Sequence, residues 1–494
     1  MRLGYTAADV RAAEEPLLAA GAPLMARAAA GLAAVCRREL VAAHGRVAGA
    51  RIAVLAGAGN NGGDALFAAA ALAARGAAVT VIEALGRPHA DGLAAVRAAG
   101  AQAADTGAAR AALADADLVL DGILGTGART GLPAPLADLL REWQTDTGAR
   151  GVLGRTQLTI AVDVPTGVDA TTGERGEVWV EADTTVTFGA LKSGLLLPGG
   201  ADAAGRVELV DIGLDMGDAQ PRVQALDEDD IAPLFPFPRR GDHKYTRGVL
   251  GLVAGSDAYP GAAALAGVAA IATGVGMLRL VGPRRVADAV LAITPEAVAG
   301  RGRVQAWALG SGAPAEYEMR ASLADARESG LPVALDAGAL ALVEGPLGHP
   351  AVLTPHAGEL AELLGRLEPG DAPDRAAIEA DPVAAATAAA RATGAVVLLK
   401  GPRTVIARPD GSLVAPAPGP AALATAGTGD VLLGVLGALL ATTAEHEPVP
   451  DLALVAGLAV LLHSAAGHAT THASGLPAAL EARIVALRES EAGR

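Results

Sequence analysis

Cysteine is almost absent from this chain of 494 residues, which contains only Cys36. A single cysteine excludes an intrachain disulfide framework and fits a reducing compartment. Because Cys36 lies in an alanine-rich helical stretch, we expect it to be a small core residue and not a nucleophile.

Aromatic residues and positive charge are also scarce. Phe, Trp and Tyr supply 2% of the residues although 51% are hydrophobic, so the cores must be built from Ala, Val and Leu. The net charge of −15 disfavours nucleic acid or an anionic membrane as a partner. No run of eighteen apolar residues is free of helix breakers, and the start of the chain lacks a basic-then-apolar signal pattern. We therefore expect a soluble cytoplasmic protein with small-molecule partners.

Short buried strands alternate with helical stretches. In the first half the predicted strands are RIAVLA (51–56), VTVI (79–82), LVL (118–120), LTIAV (158–162) and VELV (207–210). This alternation predicts an α/β fold with parallel sheets covered on both faces. An acidic run, DEDD (227–230), and a proline-rich run, PLFPFP (233–238), mark a linker. We therefore expect two three-layer α/β/α domains, residues 1–224 and 225–494.

The first 76 residues also carry helix signals. Thr6 followed by Asp9 predicts a helix start, and apolar residues recur at helical spacing to about residue 44. Pro16 and the tripeptide GAP (21–23) divide this stretch into two predicted helices. A further helix is expected after residue 64, ending near residue 76.

Polar, glycine-rich segments follow three of the predicted strands. They are GAGNNGGD (57–64), DGILGTGARTG (121–131) and DVPTGVD (163–169). Ligands bind beyond the carboxyl ends of parallel strands, so these segments should line one cleft. Taken singly, Asp121 or Asp163 would more often be a turn or cap residue. Three such segments at strand ends favour a binding site.

The first segment fits the G-x-G-x-x-G pattern of dinucleotide-binding folds. Gly57, Gly59 and Gly62 follow a strand, and Glu83 ends the next strand about 20 residues later. Taken literally, the pattern predicts an NAD-dependent dehydrogenase. A loop against pyrophosphate would hardly carry two amides and a carboxylate, which suit hydroxyl, amide and cation contacts better.

These motifs, with the run TAADVRAAE (6–14), resemble the NAD(P)H-hydrate epimerase family. The resemblance implies a Rossmann-like fold and a potassium ion held by Asn61, Asp121 and Thr166. Asp121, the catalytic residue predicted for this half, or Asp163 could assist the proton chemistry, and the sequence does not choose between them. The implied contacts with the hydrated dinucleotide are Asn60, Asn61, Gly62, Gly63, Asp64, Gly125, Thr126, Gly127, Ala128, Arg129, Thr130, Gly131 and Asp163. Ala65, in place of a usual glycine, and the segment 143–155 are mild departures.

The second half repeats the pattern of strands followed by polar residues. Its predicted strands are residues 249–254, 333–336, 351–353 and 396–400. Lys400 ends an apolar strand, and a charge there requires an anion or a water-filled cleft. His356 alone would more often be a hydrogen-bonded structural histidine.

The heptapeptide ATAGTGD (424–430) leads directly into an apolar helical run. Its glycines can aim several backbone N–H groups at one point beside a helix N-terminus, which suits an anion. The carboxylate of Asp430 would repel that anion, so its use there is as a base that takes the proton of an attacking hydroxyl. The alternative is that Gly427 and Gly429 form a tight turn and Asp430 caps the helix.

The second half resembles the ADP-dependent NAD(P)H-hydrate dehydratases of the ribokinase-like superfamily. The matching motifs are HKY (243–245), YPGA (259–262), TPHAGE (354–359), KG (400–401) and ATAGTGD (424–430). The resemblance implies that the hydrated nicotinamide contacts Ala262, Gly312, His356 and Asp430. The implied adenine-nucleotide contacts are Lys400, Gly401, Pro402, Arg403, Thr404, Gly427 and Gly429. Ser311, Gly338 and Pro420 depart from the usual residues.

Together the two resemblances cover nearly the whole chain and imply an enzyme that repairs hydrated NADH and NADPH. The first half would interconvert the R and S hydrates. The second would dehydrate the S hydrate with ADP, releasing AMP and phosphate, and Mg²⁺ is the expected companion of ADP. We also expect a homo-oligomer. Two alternatives stay open: a ribokinase-superfamily kinase for a small alcohol with a regulatory first half, and a non-enzymatic nucleotide-binding interaction module.

Overall fold

The computed structural model describes residues 1–104, 106–127, 131–151, 156–313, 317–370, 372–444 and 451–492. These residues form two compact units, Arg2–Val223 and Gln224–Arg494. The predicted site residues Ala128, Arg129 and Thr130 lie outside the described residues, as do residues 152–155 of the segment noted as a departure.

The first unit is an α/β fold, as predicted. Its strands are β1 (Arg2–Tyr5), β2 (Arg51–Gly57), β3 (Ala78–Leu85), β4 (Gln102–Ala104), β5 (Leu118–Gly122), β6 (Leu158–Val162), β7 (Thr184–Phe188), β8 (Leu191–Lys192) and β9 (Arg206–Val210). Its helices are α1 (Ala7–Ala19), α2 (Leu24–His44), α3 (Asn60–Ala73), α4 (Ala90–Ala98), α5 (Thr106–Asp115), α6 (Ala134–Gly151) and α7 (Gly200–Ala203). All five strands predicted for this half are present.

Seven of these strands form one parallel sheet with the order β4-β3-β2-β5-β6-β7-β9. The chain adds strands outward from β2 to β4 and then returns to place β5 on the other side of β2. The segments leaving β2 and β5 therefore start side by side and lead to helices on opposite faces of the sheet. This is the sheet's topological switch point, where open α/β folds bind ligands.

Alternate residues of β2 build the two faces of the sheet, since strand side chains alternate. Ile52 and Val54 pack in the core that includes α2 and α3, whereas Leu55 packs with α5 and α6. Cys36 lies on α2 and is fully buried, as expected, and burial raises the pKa of its thiol to about 12.

The N-terminal helices differ from the prediction at one residue. Thr6 and Asp9 form the expected capping box of α1, but Pro16 lies inside this helix and does not end it. The break falls only at residues 20–23.

Within the described ranges no single helix is long and apolar enough to cross a membrane. Helices α1 and α2, which are bent relative to each other, meet the criterion of length and composition only when they are counted together.

Two glycines of the G-x-G-x-x-G segment are required by backbone packing. A Cβ on Gly57 would lie 1.9 Å from the carbonyl oxygen of Ile123, and one on Gly62 would lie 2.1 Å from the carbonyl oxygen of Gly57. A Cβ on Gly59 would meet nothing within 4 Å. Helix α3 begins at Asn60 rather than after residue 64, because Gly62 lets its first turn approach β2.

The second unit is also α/β. Its strands are β10 (Val223–Leu226), which starts at the last residue of the first unit, β11 (Val249–Val253), β12 (Met277–Leu280), β13 (Val298–Ala299), β14 (Ala306–Leu309), β15 (Val333–Leu335), β16 (Ala351–Leu353), β17 (Val396–Leu399), β18 (Val405–Ala407) and β19 (Leu413–Pro416). Its helices are α8 (Ile231–Leu234), α9 (Pro260–Thr273), α10 (Arg284–Leu291), α11 (Tyr317–Ser329), α12 (Ala357–Leu367), α13 (Arg375–Ala380), α14 (Pro382–Thr393), α15 (Thr428–Thr443), α16 (Leu452–Gly467) and α17 (Leu476–Ala492).

Strands β13-β12-β11-β14-β15-β16-β17 run parallel in that order, and β18 and β19 follow as antiparallel strands. The order reverses between β11 and β14, which creates a second switch point. Ala306 and Ala308 of β14 face the core that contains α9, α15 and α16. Trp307 between them takes the other face, where its indole donates to Asp325 of α11 (3.0 Å). Helices therefore cover both faces of this sheet too.

We predict that Gly57→Ala lowers the free energy of unfolding by roughly 1–3 kcal/mol, because the new methyl group must displace the backbone at Ile123. Gly59→Ala in the same segment is the matched control and should stay within about 0.5 kcal/mol of the parent. Urea unfolding of both variants measures the difference. Equal losses would contradict the packing role assigned to Gly57.

Candidate active sites

A cavity of about 620 Å³ opens at the switch point of the first sheet. Its volume is in the range of small-molecule sites, about 300–1,000 Å³. Its polar lining residues are Arg11, Glu14, Asn60, Asn61, Asp64, Thr126, Asp163 and Lys192, with Gly125 and Gly127 beside them. All three predicted segments therefore reach this cavity, while Gly62, Gly63 and Gly131 do not line it.

Asp121 lies in the protein interior and is not part of the cavity lining. Its carboxylate accepts hydrogen bonds from the backbone N–H and the hydroxyl of Thr166 (2.8 and 2.7 Å) and from the N–H of Ile123 (3.3 Å). Burial raises the pKa of Asp121 to about 6, against the opposing effect of these hydrogen bonds. These contacts tie the segment after β5 to the segment after β6.

The side-chain amide of Asn61 lacks hydrogen-bond partners in the described part of the chain. Both its oxygen and its nitrogen are buried without a hydrogen bond, and unsatisfied buried polar groups are costly. In the part of the chain that the structure describes, no three His, Cys, Asp or Glu side chains converge as a metal-binding group. An ion beside Asn61 would therefore be held by neutral oxygens and at most one or two carboxylates, a set that fits a large monovalent cation.

Lys192, which the sequence analysis missed, forms a buried ion pair in this cavity. Its ammonium lies 2.6 Å from Oδ1 of Asp163 and donates to the hydroxyl of Thr187 (3.1 Å) and the carbonyl of Phe188 (2.9 Å). The lysine side chain is 1% exposed, so the pairing is what permits its burial. The signal that singled out Lys400, a lysine at the end of a strand, also applied to Lys192.

The remaining carboxylates of the cavity hold their protons unusually tightly. Burial, with the negative charges of Asp163 and Glu14, raises the pKa of Asp64 to about 8, and Lys192 only partly offsets this. Burial also raises the pKa of Glu14. Oδ1 of Asp64 is buried without a hydrogen bond. Glu14 belongs to the motif quoted for the family resemblance, but it was not predicted as a site residue.

In the second unit, Asp430 lies in the first turn of α15 but does not cap it. The N-cap is Gly427, at φ +91°, and no side chain makes a capping hydrogen bond. The alternative interpretation of Asp430 as a helix cap is therefore wrong. Its carboxylate instead accepts a hydrogen bond from the hydroxyl of Ser311. Burial raises the pKa of Asp430, and nearby Asp336 adds to the rise.

Lys400 lies next to this turn and is held by one carboxylate at the end of β15 and one in the first turn of α12. Its ammonium donates to Oδ1 of Asp336 (2.7 Å) and is 3.7 Å from Oε2 of Glu359. Burial alone would lower the pKa of Lys400, but these two carboxylates outweigh it and raise the pKa. Thr354 donates its hydroxyl to Asp336 (2.8 Å). Glu359 ends the motif TPHAGE quoted for the family resemblance, but neither Glu359 nor Asp336 was predicted as a site residue.

Lys400 also approaches the predicted anion-binding turn. A Cβ on Gly429 would lie 3.8 Å from the lysine ammonium. The segment that follows Lys400 connects β17 to β18, with Gly401 and Pro402 exposed and Thr404 partly buried. The turn and the lysine are therefore brought together, as predicted.

His356 has a structural role as the N-cap of α12. Its Nδ1 accepts from the N–H groups of Gly358 (3.0 Å) and Glu359 (3.2 Å), and the ring stays exposed. Ala262 and Gly312 meet at the second switch point, where a Cβ on Gly312 would lie 2.4 Å from Cβ of Ala262. A cavity of about 750 Å³ elsewhere in this unit is lined by none of the predicted site residues.

Comparison with known proteins matches one family model to each half of the chain. A family model described as NAD(P)H-hydrate dehydratase matches residues 250–487, and one described as YjeF-related protein N-terminus matches residues 21–194. The chain is 42% identical over 457 residues to the bifunctional NAD(P)H-hydrate repair enzyme Nnr of Mycobacterium tuberculosis (strain CDC 1551 / Oshkosh), covering 90% of each protein. The chain belongs to the bifunctional NAD(P)H-hydrate repair enzyme family.

Two further similarities each cover about half of the chain. The NAD(P)H-hydrate epimerase of Clavibacter sepedonicus is 48% identical over 234 residues, which are 45% of this chain and 95% of that protein. A solved structure of the ADP/ATP-dependent NAD(P)H-hydrate dehydratase from Bacillus subtilis has 30% identity and a TM-score of 0.47, covering 53% of this chain and 97% of that one. The curated relatives confirm the resemblance predicted from the motifs and favour a repair enzyme over a small-alcohol kinase.

We predict that Lys192→Met destabilises the repair enzyme by about 3–5 kcal/mol, because Asp163 is left as an unpaired buried charge. The double variant Lys192→Met/Asp163→Asn should recover part of this loss. Arg141→Met, which removes an exposed pair with Asp138, is the control and should change little. Unfolding of the three variants checks this, and a double variant no more stable than Lys192→Met would contradict it.

Proposed function

We propose that the first domain, residues 1–224, epimerises the R and S hydrates of NADH and NADPH. The second domain, residues 225–494, dehydrates the S hydrate with ADP as phosphoryl donor. The observation that carries this proposal is the position of Asp430. Its carboxylate lies at the N-terminus of α15 without capping it, beside the ammonium of Lys400. The acidic charge and single cysteine fit work in the cytoplasm.

The chemistry of the second domain follows from the poor leaving ability of hydroxide. Asp430 removes the proton of the substrate hydroxyl, whose oxygen attacks the β-phosphorus of ADP, and AMP leaves. Phosphate then departs as the lone pair of the ring nitrogen forms a C=N bond, and loss of a ring proton restores the dihydronicotinamide. The hydrogen bond from Ser311 keeps Asp430 ionised enough to act as the base, because it opposes the rise in pKa caused by burial.

The nucleotide site uses cations and backbone donors. We assign the phosphates of ADP to Lys400 and the turn at Gly427 and Gly429, and the rest of the nucleotide to residues 401–404. Three carboxylates, Asp336, Glu359 and Asp430, surround the lysine, so additional positive charge is needed when phosphates bind. Mg²⁺ bound to ADP supplies that charge. The hydrated nicotinamide is assigned to Ala262, Gly312, His356 and Asp430.

In the first domain, the unpartnered amide of Asn61 supports a potassium site. We assign the ion to Asn61, Asp121 and Thr166, of which Asp121 also positions the segments after β5 and β6. The substrate contacts are assigned to residues 60–64, 125–131 and 163. A buried carboxylate outside the cavity is poorly placed to touch substrate, so Asp121 is better explained as an ion ligand and positioning residue than as the acid or base.

We predict that Asp430→Asn lowers dehydration turnover at least about 10²-fold, since a positioned base contributes on the order of 10²–10⁴-fold. The asparagine keeps the size of the side chain and can still accept the Ser311 hydrogen bond. ADP should bind as well or slightly more tightly, because a carboxylate beside phosphate is repulsive. Rate measurements at the absorbance of NADH, with ADP titrations, check both. Dehydration by Asp430→Asn at the parent rate would contradict this mechanism.

We predict that Asp121→Ala abolishes epimerisation and leaves ADP-dependent dehydration of the S hydrate nearly unchanged. The variant removes the link between the segments after β5 and β6, whereas the second domain has its own site. Separate assays with R and S hydrates measure the two activities. A proportional loss of both would argue against independent sites. Since Asp121 is fully buried, the variant's folding is checked by circular dichroism.

A further inference from the structure

We propose that the side chain of Asp64 is the proton donor and acceptor of epimerisation, in a cavity that also contains the Asp163–Lys192 pair. This inference rests on the epimerase function proposed for the first domain. It departs from both candidates of the sequence analysis, Asp121 and Asp163.

The geometry leaves Asp64 as the buried carboxyl in the cavity with an unused oxygen. Asp163 is occupied at both oxygens: Oδ1 contacts Lys192 and accepts from the hydroxyl of Thr187 (3.0 Å), and Oδ2 accepts from the N–H of Thr126 (3.1 Å). Oδ1 of Asp64 is buried without a partner, and the residue is 8% exposed. A substrate hydroxyl in this cavity would supply the missing hydrogen bond.

Lys192 is excluded as the acid because its hydrogens are already committed. Its three N–H bonds are matched by Asp163, Thr187 and the carbonyl of Phe188. A proton transfer from it would leave the buried carboxylate of Asp163 without its counter-charge, which is unfavourable. Lys192 and Asp163 therefore act as a neutral, positioned pair in the cavity wall.

Burial, reinforced by the surrounding negative charges, keeps Asp64 protonated near neutral pH. Glu14 from α1 and Asp163 after β6 repel a second carboxylate, and burial favours the neutral acid even more strongly, so that its pKa lies at about 8. Lys192 from β8 acts in the opposite direction, and Arg11 is the other cation in the lining. A carboxylic acid in this state can give its proton to a leaving group.

The reaction balances without a further reactant. The hydroxyl-bearing carbon of the hydrate is bonded to the ring nitrogen. Asp64 gives its proton to the hydroxyl oxygen, the C–O bond breaks, and the nitrogen lone pair forms a C=N⁺ bond as water leaves. Water then adds to the opposite face, the C=N⁺ electrons return to nitrogen, and the carboxylate of Asp64 takes the released proton. The product is the other epimer, and the acid is regenerated.

The first test is Asp64→Asn in the full-length enzyme, with the R and S hydrates separated chromatographically after timed incubation. The rate of epimerisation, after subtraction of the enzyme-free background rate, should fall on the order of 10²–10⁴-fold. Asp91→Asn, an exposed carboxylate on α4, is the matched control and should keep the parent rate. An Asp64→Asn variant that retains at least half of the parent rate would overturn the proposal.

The second test uses the pH profile, which a purely structural role of Asp64 would not move. The rate should fall as pH rises through about 8, because the acid form is consumed. Glu14→Gln removes a repulsive carboxylate, so this alkaline limb should shift to lower pH. An unshifted limb, or loss of activity as large as that of Asp64→Asn, would overturn the assignment and favour Glu14 as the acid.

These outcomes are separable from failure of the proposed function. If the parent enzyme does not interconvert the hydrates at all, the epimerase assignment of the first domain fails. If the parent interconverts them and Asp64→Asn does so equally well, only the acid is misassigned. ADP-dependent dehydration of the S hydrate by the same preparations should be unchanged and shows that each variant is folded and active in its second domain.

Discussion

Both halves of this enzyme depend on one constraint of parallel sheets. A sheet that grows in one direction and then in the other must leave an uncovered crevice between the two strands where the order reverses. In the first unit these strands are β2 and β5, and in the second they are β11 and β14. The segments that leave such strands meet without a helix between them. Glycines are needed where these segments touch, and polar side chains collect there because the crevice is open to solvent and ligand.

Each site contains a lysine that is paired with an aspartate, but the two lysines differ in what they can reach. Lys192 is 1% exposed and has all its hydrogens matched within the protein. Lys400 is 22% exposed and lies beside Gly429. A buried charge without a partner is costly, so the loss of one member of either pair is expected to destabilise the protein. Only Lys400 has the access that binding a phosphate requires.

The strand ends could be read from the sequence because their signals are local. Apolar runs and glycines correctly predicted the strand before each polar segment of the first unit. They also predicted helix α15, which begins within the last three residues of the heptapeptide ending in Asp430. Pro16 was misjudged, because a proline in the interior of a helix is disfavoured only on average and here the helix continues through it. Helix α3 starts five residues early, because the close contact between Gly57 and Gly62 is not visible in a local pattern.

The sequence by itself determined the α/β class, the two-part organisation and the family, because hydrophobic periodicity and contiguous motifs depend only on residues close together in the chain. Only the tertiary structure decided which polar residues face a cavity and which are sealed beneath it. Asp121 and Asp163 look alike in sequence, yet the first is enclosed by Thr166 and the second pairs with Lys192. Asp64 acquires its raised pKa from burial and from charges on α1 and after β6. Such differences depend on distances between residues far apart in the chain, and those distances exist only once the sheet has formed.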